Sequence, residues 1–127
     1  MMMAETYHDL SCWQLAVELQ QLVYAQTAGR SAKDREFCDQ LRALSDSVIR
    51  HIESGFNDHW PEHFAEQLRL VRTSLFAVHN SAATGFARGC FSHAAAGRVQ
   101  QLCWRSSTSA MQLIRDLENR GAVAIDA

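Results

Sequence analysis

The stretch from residue 64 to residue 82 carries the most restrictive pattern in the chain, because its apolar residues recur at alternating spacings of four and three. These residues are Phe64, Leu68, Val71, Leu75, Val78 and Ala82. The spacing puts them on one face of an α-helix and is typical of the seams of helical bundles. The 127 residues include only one proline and six glycines, fewer turn formers than a β-sandwich or barrel needs. The sequence therefore predicts an all-α protein.

Four helical segments are expected, and residues with known preferences for helix ends bound them. The segments run over about 11–28, 33–54, 61–84 and 92–120. Gly29 and Gly55 follow the first two, Pro61 suits the first helical position of the third, and Ser92 is a candidate N-cap of the fourth. The connections are short, which favours antiparallel neighbours. We predict a single domain, an antiparallel up-down four-helix bundle over residues 1–127 with short disordered termini.

Composition, together with the search for a signal peptide and a membrane span, indicates the cellular compartment. Hydrophobic residues make up 47% and charged residues 20%, as in soluble globular proteins. No basic segment followed by an apolar one opens the chain, and no apolar run approaches the ~18 residues of a membrane span. We expect a cytoplasmic protein with no membrane partner. The four cysteines form no C-x-x-C pair, so they are interpreted as buried hydrophobes; no cofactor is expected.

Helix 1 is apolar over a wider arc than a monomeric bundle requires. Leu15, Leu19 and Leu22 lie on a different face from its other large apolar residues, and in helix 4 Trp104 and Met111 point away from the main apolar stripe. This excess predicts a homo-oligomer interface at these five residues. The alternative is that the same side chains cover loops within one chain.

Charge is divided unevenly along the sequence. Residues 1–66 hold eleven carboxylates and five basic side chains, whereas residues 67–115 hold six arginines and no Asp or Glu. We interpret Arg69, Arg72, Arg98 and Arg105 as a candidate face for an anion or nucleic acid, since Arg suits phosphate. The alternative is docking between the acidic and basic halves of one chain. No small-molecule substrate is evident.

The segment Ser47–Phe56, SVIRHIESGF, places a polar cluster at the end of helix 2. Ser47, His51 and Ser54 follow one another at spacings of four and three, so they share one ridge. We predict that they cap the helix, that Gly55 closes it in the left-handed conformation, and that Phe56 returns to the core. A Ser–His nucleophile would also need an orienting carboxylate and an oxyanion hole, and no such set is visible, so no catalytic residue is predicted.

A second histidine pattern, His59-x-x-x-His63, straddles the start of helix 3. Two histidines four residues apart on a helix can hold a metal ion when a third ligand arrives from elsewhere. Glu62 and Glu66 are instead explained by the helix dipole, which favours acidic side chains in the first turn. We predict no metal site here.

Three motifs resemble those of the bacterial four-helix-bundle family of 23S ribosomal RNA intervening-sequence proteins. The matching positions are Leu10, Trp13, Ala16 and Leu19; then Gln40, Leu41, Arg42, Ser47, Ile52, Gly55 and Phe56; then Leu68, Leu70, Arg72, Ser74 and Leu75. The likeness covers residues 9 to about 120. The chain departs from the family pattern at His51, Ser54 and Ala77, where the family has Asn, Glu and Glu.

The resemblance implies a homo-pentameric bundle with no established enzymatic activity. A related group, the accessory proteins of diversity-generating retroelements, consists of basic pentamers that bind nucleic acid and a reverse transcriptase. We therefore expect a non-enzymatic oligomeric scaffold or interaction protein. The alternative is an RNA- or DNA-binding accessory protein that uses the arginine-bearing face of helices 3 and 4.

Overall fold

The computed structural model of the chain describes residues 6–29, 34–58 and 60–126, with side chains described as far as residue 120. A short 3-10 turn, Tyr7–Asp9, leads into four α-helices. They are α1 (Ser11–Thr27), α2 (Arg35–Phe56), α3 (Pro61–Ala87) and α4 (His93–Asp126). No strand occurs in these ranges. The predicted all-α class is confirmed.

The helices form a four-helix bundle in which each one packs against its neighbours in chain order, and α4 closes the ring against α1. The four-three stripe of α3 lies entirely in the core, with the apolar faces of the other helices around it. The largest fully buried side chains are Leu19, Leu41, Ile52, Leu68, Leu75 and Leu102. Burying an aliphatic side chain of this size contributes roughly 1.5–3 kcal/mol, so these six residues, which come from all four helices, contribute strongly to the stability of the fold.

Several predicted helix ends coincide with the observed ones. Pro61 is the first residue of α3, and the Ser92 hydroxyl accepts a hydrogen bond from the backbone N–H of Ala95 (3.1 Å) at the start of α4. Gly29, just beyond α1, has a φ of 69°, the left-handed conformation that glycine adopts without strain. Lys33, the predicted first residue of helix 2, lies outside the described residues.

The end of α3 differs from the prediction, because the helix passes through Gly85 and continues to Ala87. The residue that ends it is Gly89, with a φ of 76°. The Cys90 N–H donates to the Gly85 carbonyl (2.8 Å) and the Gly89 N–H to that of Phe86 (3.0 Å). This paired arrangement is a Schellman motif, which satisfies the last carbonyl groups of a helix. The backbone of α4 likewise extends past the predicted residue 120, to Asp126.

Candidate functional site

The outer side of the α3/α4 pair carries the two most exposed aromatic side chains of the described residues. Phe76 is 68% exposed and Trp104 is 71% exposed. The Nε of Arg72 donates to the hydroxyl of Ser107 (3.2 Å), so these two residues stand opposite each other on the antiparallel helices. One turn beyond Arg72 is Phe76, and one turn before Ser107 is Cys103, next to Trp104. The two rings therefore stand at the same height along the bundle.

Basic and sulfur-containing side chains flank these rings. Arg72 Nη1 lies 3.8 Å from Met111 Sδ, and Arg69 Nη2 lies 3.4 Å from an oxygen of Glu118 in a solvent-exposed ion pair. Such exposed pairs contribute at most about 1 kcal/mol, so Arg69 is held only weakly. We define the α3/α4 face as the surface formed by Arg69, Arg72, Phe76, Trp104 and Met111.

The four arginines predicted to form one face lie on two sides of α4, so this prediction is corrected. Arg98 forms an ion pair with Glu18 of α1 and a hydrogen bond with Gln101. Arg105, seven residues further along, lies on the same side of the helix and is exposed. Arg69 and Arg72 contact α4 from α3. Because α4 lies between α1 and α3, the structure brings together two pairs of arginines rather than four.

The predicted oligomer interface is also only partly brought together. Leu19 is fully buried in the core, so its assignment to an interface between copies is wrong. Leu15 and Leu22 are half-buried and pack against the same core. Helix α1 packs against α2 on one flank and against α4 on the other. The wide apolar arc of α1 is therefore buried by contacts within one chain. Trp104 is the predicted interface residue that remains largely exposed.

Phe76 was missed by the sequence reasoning that singled out Trp104. It follows Leu75 of the apolar stripe directly, so it points about 100° away from that stripe on a helix. Trp104 and Met111 were singled out because they are large apolar residues outside the apolar stripe of helix 4. The same criterion applied to helix 3 would have identified Phe76.

Gly55 does not close α2, contrary to the prediction. The helix continues through Phe56, and Asn57 follows it in right-handed conformation (φ −79°) with its N–H bonded to the Glu53 carbonyl. Gly55 has no positive φ and is buried inside the helix, where a Cβ would stand 2.6 Å from Cδ1 of Phe64. The glycine is required because α3 approaches α2 closely at this point.

The polar residues of the predicted cap do not act together. His51 Nδ1 lies 2.7 Å from Oε1 of Gln67, so His51 joins α2 to α3 instead of capping the backbone. Ser47 is half-buried and Ser54 is exposed. Phe56 packs edge-on against Phe64, with ring centroids 6.1 Å apart. This end of α2 is a packing junction between two helices.

A polar network that the sequence did not reveal joins α1 to α2. Asp46 accepts hydrogen bonds from the Tyr24 hydroxyl (2.8 Å) and from the Gln20 amide (2.8 Å). The Arg42 guanidinium lies 4.8 Å from the centroid of the Tyr24 ring and donates to the Thr27 hydroxyl (2.7 Å). The bond to Asp46 raises the pKa of Tyr24, because a phenol that donates to a carboxylate holds its proton more tightly.

The second histidine pattern is only half described, since His59 lies outside the described residues. His63 Nδ1 lies 3.3 Å from an oxygen of Asp58. Within the described ranges, no three His, Cys, Asp or Glu side chains are grouped as a metal ion would require. Over the same ranges, no helix combines the length and apolar character needed to cross a membrane.

Comparison with known proteins adds no assignment. No protein-family model matches the chain, and no curated protein matches it.

Proposed function

We propose that the chain is a non-catalytic helical scaffold that assembles with copies of itself through the α3/α4 face. The observation that supports this most directly is the pair of rings at one height, Phe76 and Trp104, each more than two-thirds exposed. Burying a side chain of this kind contributes about 2 kcal/mol. Two such rings on one surface are the type of anchor that dominates protein–protein interfaces.

The distribution of charge indicates which surface of the next copy the α3/α4 face would contact. The stretch 67–115, which includes all five residues of the α3/α4 face, contains no Asp or Glu. On α2, Glu36 and Asp39 are exposed and line a shallow hollow together with Arg35, Gln40 and Ala43. We propose that the α3/α4 face of one copy contacts this part of α2 in the next, because opposite charge favours that pairing.

A contact between two different surfaces of the same chain is head-to-tail, and it produces a ring when the rotation closes. The motif resemblance to 23S ribosomal RNA intervening-sequence proteins supports a ring of five. We propose membership of that family on the same motifs.

Light scattering coupled to size exclusion, at tens of micromolar protein, tests the assembly. The wild-type mass is expected near five times the 14.3 kDa of one chain. Phe76→Ser and Trp104→Ser should each shift the protein towards the monomer. Trp60→Ser is the matched control, because Trp60 is 60% exposed but lies before the first residue of α3, outside the face.

A wild-type chain that elutes as a monomer would refute the proposal. Dissociation by Trp60→Ser, together with intact assembly in Phe76→Ser and Trp104→Ser, would refute the choice of surface. Circular dichroism of each variant verifies that the helices are retained.

A second candidate partner is single-stranded nucleic acid, favoured by the two exposed rings and by the lack of Asp and Glu in the stretch 67–115 that carries them. Bases stack on such rings, and each stacking contact contributes about 1–3 kcal/mol. Binding to a labelled oligonucleotide at ~50 mM salt should then be lost at ~500 mM, since phosphate contacts weaken steeply with salt. Trp104→Ser should weaken it and Trp60→Ser should not. Absence of binding at the lower salt concentration removes this candidate.

A further inference from the structure

Two of the four cysteines meet at the junction between the start of α2 and the loop that connects α3 to α4. Cys38 lies in the first turn of α2 and Cys90 lies one residue after Gly89, and their Sγ atoms are 3.9 Å apart. Both side chains are buried. The residues beside them are also in contact, because the guanidinium of Arg88 lies 4.9 Å from the centroid of the Phe37 ring. Two neighbouring contacts thus hold the same two segments together.

We propose that Cys38 and Cys90 form a redox modification site, which closes to an intrachain disulfide when the protein meets a hydroperoxide. The inference goes beyond the scaffold function and does not depend on it. A disulfide needs the sulfurs at about 2.05 Å. Closure from 3.9 Å therefore requires rotation of the two side chains. It also requires a small shift of the connecting loop, an element that moves more readily than a helix.

The chemistry balances with the peroxide as the oxidant. One thiolate attacks the peroxide oxygen, becomes a sulfenic acid and releases water when the oxidant is hydrogen peroxide. The second thiol then displaces the sulfenic hydroxyl, which leaves as a second water, and the S–S bond forms. The two sulfurs together lose two electrons and two protons, and the peroxide accepts both.

The other two cysteines are buried as well, and burial raises the pKa of Cys12 to about 11 and that of Cys103 to about 12. Cys12 and Cys103 differ from the proposed pair in their position in the fold. Both lie within helices of the core rather than beside a loop. They serve as internal controls for selective reaction at the Cys38–Cys90 pair.

Tryptic digestion can read the pairing directly, because every cysteine falls in a separate peptide. Cleavage after arginine places Cys38 in residues 36–42, Cys90 in residues 89–98 and Cys103 in residues 99–105, while Cys12 precedes Arg30. The reduced, folded chain is treated with hydrogen peroxide and then denatured and alkylated with N-ethylmaleimide. We expect two of the four thiols to escape alkylation and the peptides 36–42 and 89–98 to be joined. Dithiothreitol should restore all four.

Two controls decide the outcome. Peroxide treatment in guanidinium should give a mixture of the six links possible among four cysteines, which combine into three full connectivities, whereas the folded chain should give one link. The variant Cys12→Ala/Cys103→Ala should still form the link, and Cys38→Ala should not. Four alkylated thiols after treatment of the folded wild-type chain would overturn the proposal. So would a Cys12–Cys103 link, links between chains, or the same mixture in the folded and denatured states.

Discussion

Gly55 lies so close to the ring of Phe64 that a Cβ at position 55 would stand 2.6 Å from the ring atom Cδ1 and 3.0 Å from the Cβ of Gln67. Real Cβ atoms do not approach other atoms so closely, so α2 and α3 keep their separation here only because residue 55 has no side chain. The glycine therefore determines the distance between two helices, not the conformation of a helix end.

Side chains added at position 55 should destabilise the protein by overpacking. We expect Gly55→Ala to cost about 1–3 kcal/mol and Gly55→Val more, because overpacked cores displace their neighbours. Gly97→Ala is the matched control, since Gly97 also lies within a helix but has nothing within 4 Å of its Cβ position. That change should stabilise by roughly 0.5–1 kcal/mol. Thermal melts measure both, and similar melting temperatures for Gly55→Ala and Gly97→Ala would contradict the packing argument.

Gly89 should resist substitution for a different reason. Nothing lies within 4 Å of its Cβ position, but its φ is 76°. A side chain there strains the left-handed backbone, so Gly89→Ala should cost about 1–2 kcal/mol. Gly89→Asn should cost less, because Asn tolerates this conformation better than Ala. Urea unfolding compares the two, and equal losses would show that backbone conformation is not the cause.

The contact between His51 and Gln67 should be measurable as a coupling between helices. We expect His51→Ala and Gln67→Ala to cost about 1 kcal/mol each, and the double variant to cost less than their sum. Ser47→Ala, on the same ridge of α2, should change the free energy of unfolding by less than about 0.5 kcal/mol. A double-mutant cycle by chemical denaturation tests this. Strict additivity would mean that the 2.7 Å contact contributes nothing.

Alkaline pH should destabilise the protein through two buried thiols. The pKa of Cys12 rises from 9.0 to about 11 and that of Cys103 to about 12. Above pH 9 the unfolded chain loses these protons while the folded chain keeps them, so the free energy of unfolding falls as the pH rises towards 11 and 12. For each pKa unit by which folding raises the pKa of a thiol, the protein loses about 1.4 kcal/mol of stability once the pH exceeds both pKa values.

The variant Cys12→Ala/Cys103→Ala tests the origin of this pH dependence. Its stability between pH 9 and pH 11 should fall less steeply than that of the wild-type chain, even if its stability at pH 7 is lower. Urea titrations at fixed pH values give the two slopes. Parallel slopes would assign the alkaline loss to other groups.

Glycines show how far the sequence could predict this fold. The four-three stripe of α3 was sufficient for the all-α class, and Gly29, Pro61 and Ser92 marked true helix ends because their preferences act locally. Gly55 and Gly89 look alike in the sequence, since each stands near a helix end with an aromatic residue close behind. Only the approach of Phe64, a residue from another helix, distinguishes the two, and local preferences contain no such information.

The candidate site was less predictable because it depends on which helix lies on each side of α4. Arg98 and Arg72 were both predicted to belong to one anion-binding face. Their separation follows from Glu18 of α1 and Ser107 of α4, the groups that each one contacts. The charge count along the sequence could not reveal this division, because it does not specify helix orientation about the bundle axis.

The close contact between Phe64, near the start of α3, and Gly55 of α2 also limits how these two helices can move against each other. Sliding α3 past α2 by one turn, about 5.4 Å, would place a residue with a side chain, such as Ile52, against the Phe64 ring in place of Gly55. Overlap of the two side chains therefore opposes a ratchet-like displacement of α3 along its own axis.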